Sequence, residues 1–176
     1  LCNGSPAADS VPALIAAAAT VTIVNSSRSR EIGVEEIPQS PGKTKLEKGD
    51  VVSAINLPAR KSNSSDAYLR LIPRTEMDIA VVGCGINLSL QGEQISEARV
   101  SLGAVTPTVV LVEDAGKAII GTKLDDQALE TLAEAARKAC NPISDKRGTI
   151  EYRTHIAGVL AKRAAKIAYK RARALK

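Results

Sequence analysis

The chain has 176 residues, three of them tyrosine, and neither phenylalanine nor tryptophan. Large rings normally supply much of the area a core removes from water. Here that burial has to come from Ala, Val, Ile and Leu, and any planar ligand has to be held by aliphatic walls, Tyr or Arg. Hydrophobic residues make up 44% and charged residues 24% of the chain, a globular rather than a disordered composition. This length suffices for one good core or two small ones.

The net charge of +5 is a property of one end. Lys162, Arg163, Lys166, Lys170, Arg171, Arg173 and Lys176 fall in the last fifteen residues, where there is no acid, so the rest of the chain is slightly acidic. Cations at the end of a helix suit its dipole, and a solvated basic helix end is the simplest reading. Three cysteines (Cys2, Cys84, Cys140) without a C-x-x-C, together with a single histidine, His155, exclude a zinc module and argue against a disulfide framework. A reducing compartment, the cytoplasm, is expected. No apolar run has the length of a membrane span. "ALIAAAATVTIV" follows Asp9 and Pro12 with no basic residue before it, unlike a secretion signal. The absence of an initiator Met suggests a fragment or a processed product.

Asp9 and Ser10 before Pro12 and "ALIAAAA" predict a capped helix over about 11–18. "TVTIV" (20–24) and "VVSAINLP" (51–58) read as strands, with polar "NSSRSR" ending the first and a surface loop over 38–50. "ARKSNSSD" (59–66) is the best boundary. Beyond it "IAVVGCGINLSL" (79–90), "ARVSLGAV" (98–105) and "GKAIIG" (116–121) read as strands, the first two joined through "QGEQ" (91–94) as a hairpin. In "DDQALETLAEAARKAC", Ala128, Leu129, Leu132, Ala135, Ala136 and Ala139 form one helical stripe. Asp125 and Asp126 open that helix, and Asn141-Pro142 stops it. A last helix, about 151–173, turns Ile156, Val159, Leu160, Ala164 and Ile167 inward, and its basic final turns are expected to fray. The fold class is α+β: a small α/β piece over 1–62, a strands-then-helices piece over 66–170, and a basic tail over 171–176.

No catalytic constellation emerges. His155 has no nucleophile at a recognised spacing, Cys84 reads as a buried small hydrophobe, Cys140 as inert, and Asp145-Lys146-Arg147 as a charged turn capping the last helix. The stretch that stands out is the opening, "LCNGSPAADSVPAL". Asn3, Gly4, Ser5 and Pro6 present backbone amides and short polar side chains just before a helix start, a setting that favours anions, with Asp9 placed to accept a hydrogen bond from the same ligand. A plain turn and N-cap explains the same residues.

Five segments, in order, carry a resemblance. "NGSPAADSVPAL" resembles N-x-x-T-x-S-P-x-S-D-x-x-P of the FAD-binding subunit of molybdenum hydroxylases, the family of the aerobic carbon monoxide dehydrogenase medium subunit and the xanthine dehydrogenase flavin domain. "DVVSAINLP" is similar to its E-x-L-x-x-I-x-x-P strand, and "AYLRLIPRTEMDIAVVGCGINL" to A-Y-x-K-x-x-x-R-x-x-x-D-I-A-x-V. "ARVSLGAVTPT" resembles R-x-x-x-G-x-V-x-P, and "DKRGTIEYRTHIAGVLAKRA" the closing D-x-R-x-x-x-Y-R-x-x-x-x-x-x-L-x-x-R-A. The matches cover nearly the whole chain. In that family a Gly-Gly-Asn element and an earlier glycine-rich flavin lobe stand before the first match, so the chain resembles the second half of the subunit.

The resemblance implies the end of an FAD-binding α/β domain, then a C-terminal domain with a small antiparallel sheet and packed helices. It places Cys2 and Asn3 beside the flavin, Ser5 in the same turn, Asp9 on the cofactor, Val52 as an aliphatic contact, and Arg70 where a Lys is common. Asn3 replaces a usual Thr and changes the hydrogen bonding; Arg70 keeps the charge with a different reach. Arg74 and Asp78 fall on R-x-x-x-D as a structural pair, and Tyr152 and Arg153 on a Tyr-Arg pair that packs and caps. The implied function is that of an FAD-dependent oxidoreductase component. Electrons pass from [2Fe–2S] clusters through FAD to an external acceptor, while a molybdenum cofactor hydroxylates the substrate. The clusters and the molybdenum belong to a small and a large partner subunit, in a dimer of heterotrimers, and the fragment alone is expected to be inactive. No catalytic residue, bound metal or nucleic acid is expected on this chain. The alternatives are a non-catalytic anion- or nucleic-acid-binding module, against which the lack of aromatic stacking platforms stands, and a protein-interaction module.

Overall fold

The computed structural model describes residues 1, 3–74 and 78–175. Every strand pairing in it is antiparallel. Helix α1 (Ser10–Ala16) leads into β1 (Thr20–Val24), the centre of a three-stranded sheet between β2 (Ser29–Gly33) and β5 (Val51–Asn56). A two-stranded hairpin, β3 (Pro38–Ser40) and β4 (Lys43–Thr44), lies between β2 and β5 in the chain. The second sheet runs in chain order: β6 (Ser64–Leu71), β7 (Val82–Gln91), β8 (Gln94–Gly103) and β9 (Val110–Leu111). Three helices follow, α2 (Glu113–Lys117), α3 (Asp126–Lys138) and α4 (Ile150–Ala174).

The four-stranded sheet has two unlike faces, because successive side chains alternate across a strand. Val82, Cys84, Ile86, Leu88 and Leu90 of β7, with Val100 and Leu102 of β8, face the larger core, which α3 and α4 close. The opposite face carries Gly83, Gly85 and Gly103, and α1 lies directly on them. A Cβ at Gly85 would stand 2.5 Å from the Pro12 carbonyl oxygen, and one at Gly103 2.9 Å from Pro12 Cγ. Arg99 of β8 ties down the other end of α1, donating from Nε and Nη2 to the Ile15 carbonyl at 3.2 and 3.0 Å.

The aliphatic core takes a particular form. The buried face of α4 is Ala157, Gly158, Leu160, Ala161, Ala164, Ala165, Ala168 and Ala172. Val159 is only half-buried, as are Ile156 and Ile167, so the stripe expected from the larger side chains is displaced toward alanine. The reason is proximity: a Cβ on Gly158 would meet Ala133 O of α3 at 3.1 Å. Backbones that close leave room for methyl groups and little more. On α3, Ala128, Leu129, Leu132 and Ala136 are buried as the spacing predicts, Ala135 and Ala139 are half-buried, and Asp125 caps the helix by accepting from the Ala128 amide at 2.8 Å.

Several expectations need correcting. "NSSRSR" ends β1 at Val24 as expected, but an unexpected strand follows: Asn25 Oδ1 accepts from the Ser27 and Arg28 amides and turns the chain into β2, whose Gly33 pairs with Thr20. The expected loop over 38–50 holds the β3–β4 hairpin, reversed at Gly42 with φ +77°. The linker ends earlier than expected, since β6 begins at Ser64, whose hydroxyl donates to Lys61 O at 2.6 Å. "GKAIIG" is not a strand but the end of α2 and a turn. Gly116 packs against Ala98 O, and Gly121 is left-handed at φ +81°. The last helix remains helical through Ala174, anchored where Tyr169 donates to Glu93 O at 2.7 Å and Arg171 to Asp66 O at 2.9 Å.

Burial pushes the Cys84 thiol up to about 12 and the Cys140 thiol up to about 11. The thiolate is the reactive form. In a Cys2→Ser background the native chain should therefore give no fast reaction with a thiol reagent at pH 8, and two equivalents once denatured. A fast equivalent from the native chain would contradict this burial.

Candidate functional site

Residues 3–9 are held from three sides. Gly4 adopts φ +56°, and a Cβ there would come within 2.8 Å of Lys43 O and 3.0 Å of Ser40 O, so the loop rests on the β3–β4 hairpin in a way only glycine permits. Ser5 Oγ accepts from the Ala7 amide at 3.3 Å, and Ser5 O from the Ala8 amide at 3.3 Å. Pro6 O accepts from the Ala104 amide at 2.7 Å, which fastens the loop to the end of β8. Asn3 is exposed on this loop and Ser5 is half-buried. Cys2 lies outside the described residues.

Asp9 does not cap α1. Its backbone is already helical, and its carboxylate makes no capping bond. It accepts instead from Arg70 Nη1 at 2.5 Å, an ion pair between α1 and β6. The local pattern S/D-x-x-apolar predicts a cap; a partner 61 residues away takes the carboxylate instead. Arg70 Nη1 also approaches Asp78 O at 3.4 Å. The Asp78 carboxylate accepts from Arg74 Nε at 3.1 Å and from the Ile79 amide at 2.9 Å, with Arg147 Nε at 4.0 Å. The Arg74 hydrogen bond, above all, holds the Asp78 carboxyl below its ordinary range.

Tyr68 is a residue that sequence reasoning missed. It stands two positions before Arg70 on β6, hence on the same face of the sheet. Its hydroxyl is buried, makes no close hydrogen bond among the described residues, and has the Asp9 carboxylate beside it. Burial, and then the negative charge of Asp9, push this phenol up to about 12. A buried hydroxyl without a close hydrogen bond costs free energy, and the carboxylate that acts on this one is Asp9. The available sign was its alternation with Arg70 across "AYLRL".

The remaining expected residue stands apart. Val52 sits opposite Ile23 in the three-stranded sheet and is half-buried against the smaller core of Val11, Ile15, Val21 and Ile23, so it offers only its outer edge to a ligand. The structure thus brings Asp9, Arg70 and Tyr68 together beside the 3–8 loop. A cavity of about 490 Å³ between the end of α1 and Asn87, Ser89 and Arg99 touches none of these residues. Another, of about 230 Å³, begins at Pro6 and Ala7. Among the described residues there is no cluster of three or more His, Cys, Asp or Glu placed to hold a metal ion, and no helix is long and apolar enough to cross a membrane. His155 is exposed.

Residues 67–168 match the family described as the CO dehydrogenase flavoprotein C-terminal domain. The chain belongs to that family. Residues 1–60 match the FAD binding domain in molybdopterin dehydrogenase. The carbon monoxide dehydrogenase medium chain of Afipia carboxidovorans is 33% identical over 172 residues, covering 97% of this chain and 59% of that one. A putative xanthine dehydrogenase FAD-binding subunit of Escherichia coli is 27% identical, covering 93% of this chain and 56% of its own length. A carbon monoxide dehydrogenase structure from Hydrogenophaga pseudoflava superimposes with a TM-score of 0.92 at 30% identity, over 97% of this chain and 59% of that one. The chain therefore spans less than two thirds of these relatives. The α+β arrangement expected from the sequence is the arrangement this family shares.

Proposed function

We propose that this chain contributes to the FAD site of a molybdenum-hydroxylase flavoprotein subunit, which relays electrons from [2Fe–2S] clusters to an external acceptor. The observation that carries the reading is the buried Tyr68 hydroxyl beside the Asp9–Arg70 pair, in a chain whose first sixty residues match an FAD-binding family. These groups fit the cofactor's chemistry. An isoalloxazine ring presents carbonyl acceptors and N–H donors on one edge, and it supplies the redox chemistry when bound.

Each residue then has a physical task. Arg70 places a cation where negative charge gathers, while Asp9 both orients that guanidinium and accepts from an N–H or hydroxyl of the ligand. Tyr68 stays protonated at neutral pH, given a phenol raised to about 12, so its hydroxyl can donate. Asn3, Ser5 and the neighbouring amides line the loop suited to the anionic part of the cofactor; Cys2 is proposed to complete that loop, and Val52 to lend its edge. The cluster-bearing small subunit, the molybdenum-bearing large subunit, their pairing as a dimer of heterotrimers and a cytoplasmic location belong to the same proposal. Nucleic-acid binding by the basic helix finds less support, since Lys162 is paired with Glu130 and Arg173 with Glu93.

The test uses the full subunit co-expressed with its partners. Flavin bands at about 370 and 450 nm are expected in the purified protein. Arg70→Ala should weaken FAD binding about 10- to 100-fold, as loss of a charge-assisted hydrogen bond of about 1.5–3 kcal/mol implies, and Arg70→Lys should recover part of it. Complete absence of the bands after FAD is added would overturn the proposal.

A further inference from the structure

The Asn3–Gly4 step offers chemistry that neither flavin binding nor the fold uses. It is the single Asn-Gly pair in the sequence. An asparagine before glycine closes on itself when the glycine amide nitrogen attacks the side-chain Cγ, an approach that no Cβ on the glycine hinders. The nitrogen–Cγ bond forms, the carboxamide nitrogen departs as ammonia, and a cyclic succinimide remains. Water then opens either of its carbonyls. One opening leaves aspartate; the other leaves isoaspartate, with the side-chain carbon taken into the main chain. Water is the only co-reactant.

The structure sets Asn3 apart from the other asparagines. Asn3 is exposed, and its carboxamide makes no hydrogen bond among the described residues. Asn25 is held at both ends of its amide: Oδ1 accepts from the Ser27 and Arg28 amides, and Nδ2 donates to Asp50 at 2.9 Å. Asn56 donates to Thr22 Oγ1 at 3.0 Å and precedes a leucine. Asn63 precedes Ser64, whose backbone is committed to the β6–β7 ladder, and Asn87 lies inside β7. Asn141 precedes Pro142, which has no N–H to give up.

Folding restrains the attacking atom. Gly4 N donates to Leu1 O at 3.2 Å, and Gly4 is seated on the β3–β4 hairpin so closely that a Cβ would come within 2.8 Å of Lys43 O. While Gly4 keeps that seat its nitrogen is occupied, so ring closure starts from an opened loop, and a loop opens locally without unfolding either core. The products do not fit the seat again. Isoaspartate lengthens the main chain directly before a residue with no room for a Cβ, and both products put a carboxylate on a loop suited to an anion. We infer that Asn3–Gly4 is a site of spontaneous, irreversible modification, that the flavin-free loop undergoes it while a flavin-filled loop is protected, and that the modified chain holds FAD less tightly. The modification rests on the chain alone; its link to FAD rests on the function proposed above.

The test incubates the full subunit, flavin-loaded and flavin-stripped, at mildly alkaline pH. Tandem mass spectrometry, with isoaspartyl methyltransferase labelling, locates the products. The stripped subunit should gain aspartate and isoaspartate at position 3 faster than at Asn25 or Asn63. A ligand that binds only the closed loop, at about 100 times its Kd, lowers the open population about 100-fold, so loading should slow conversion by about that factor. The converted fraction, resolved by ion exchange, should bind FAD at least about tenfold more weakly, the effect of a like charge in the site. Asn3→Gln, whose longer side chain closes a ring far more slowly, should give no product at position 3. No conversion in the stripped subunit, or conversion at Asn25 or Asn63 at least as fast, would overturn the inference. So would equal rates in loaded and stripped subunits, or unchanged FAD affinity in the converted fraction. A freshly prepared subunit that takes up no FAD would instead count against the FAD reading, and conversion at its position 3 would still decide the modification.

Discussion

Gly85→Ala is expected to destabilise the chain by about 1–3 kcal/mol, the usual cost of forcing extra volume into a packed interior, and to abolish flavin retention. The added Cβ would stand 2.5 Å from Pro12 O, 2.8 Å from Pro12 C and 3.1 Å from Ala13 N. All three are backbone atoms, so no flexible side chain can swing aside, and α1 itself has to lift off the sheet. Asp9 immediately precedes α1, and lifting the helix draws its carboxylate away from Arg70. Urea denaturation reads the first effect, and absorbance of the purified subunit the second. Gly92→Ala is the control. Nothing stands near a Cβ there, and only its left-handed backbone, φ +64°, resists the change. That substitution should cost about 1 kcal/mol at the β7–β8 turn and leave the flavin bands untouched. Unchanged stability and flavin content in Gly85→Ala would show that α1 does not rest on β7 in solution.

What could be read from the sequence, and what could not, divides by range of interaction. The α3 helix was legible because its signals are local: a capping Asp125, apolar spacing, and Asn141-Pro142 to stop it. The pair of long strands was legible from alternation, with "QGEQ" marking their turn. β2 was not, since "SREIG" has little apolar character and becomes a strand through its pairing with β1. On α4 the composition correctly demanded an aliphatic core, but weighting by side-chain size favours Val159 and Ile167. The buried face is alanine because α3 approaches so closely at Gly158, a tertiary fact.

The candidate site shows the same division. Asp9 has the chemistry of a cap and spends it on Arg70 across 61 residues. The glycines of "GCG" look like a flexible strand until α1 is seen lying on them. Tyr68 becomes informative only once its hydroxyl is found buried beside Asp9. Family resemblance supplied Asp9 and Arg70 from sequence; packing supplied their pairing and the third member of the group.

Arg153→Met should destabilise the chain by about 3 kcal/mol, combining a lost charge-assisted hydrogen bond with carbonyls left unsatisfied. Arg153 is 4% exposed, deep for an arginine. Its Nη1 donates to Val81 O at 2.7 Å and Ala104 O at 3.2 Å, joining β7 to the end of β8, and its Nη2 donates to Asp145 at 2.7 Å. The expected charged turn therefore does not cap α4. Thr149 Oγ1 does that, accepting from the Tyr152 amide at 3.2 Å, while Asp145 accepts from the Arg147 and Gly148 amides and closes a tight turn against Arg153. Lysine could not replace this, since a single ammonium lacks the planar fork that reaches three acceptors. The pH dependence separates the two contributions. The Arg153 hydrogen bond, and then the Arg147 amide, hold the Asp145 carboxyl below its ordinary range. Its share of stability is therefore present above the unfolded-state value of about 3.9 and is lost as pH falls through the lower folded value. The bonds to Val81 O and Ala104 O do not titrate there. The stability gap between the native chain and Arg153→Met should consequently narrow on acidification without closing. Urea denaturation at pH 7 and again below pH 4 measures it, and an equal gap at both would show that the ion pair contributes nothing.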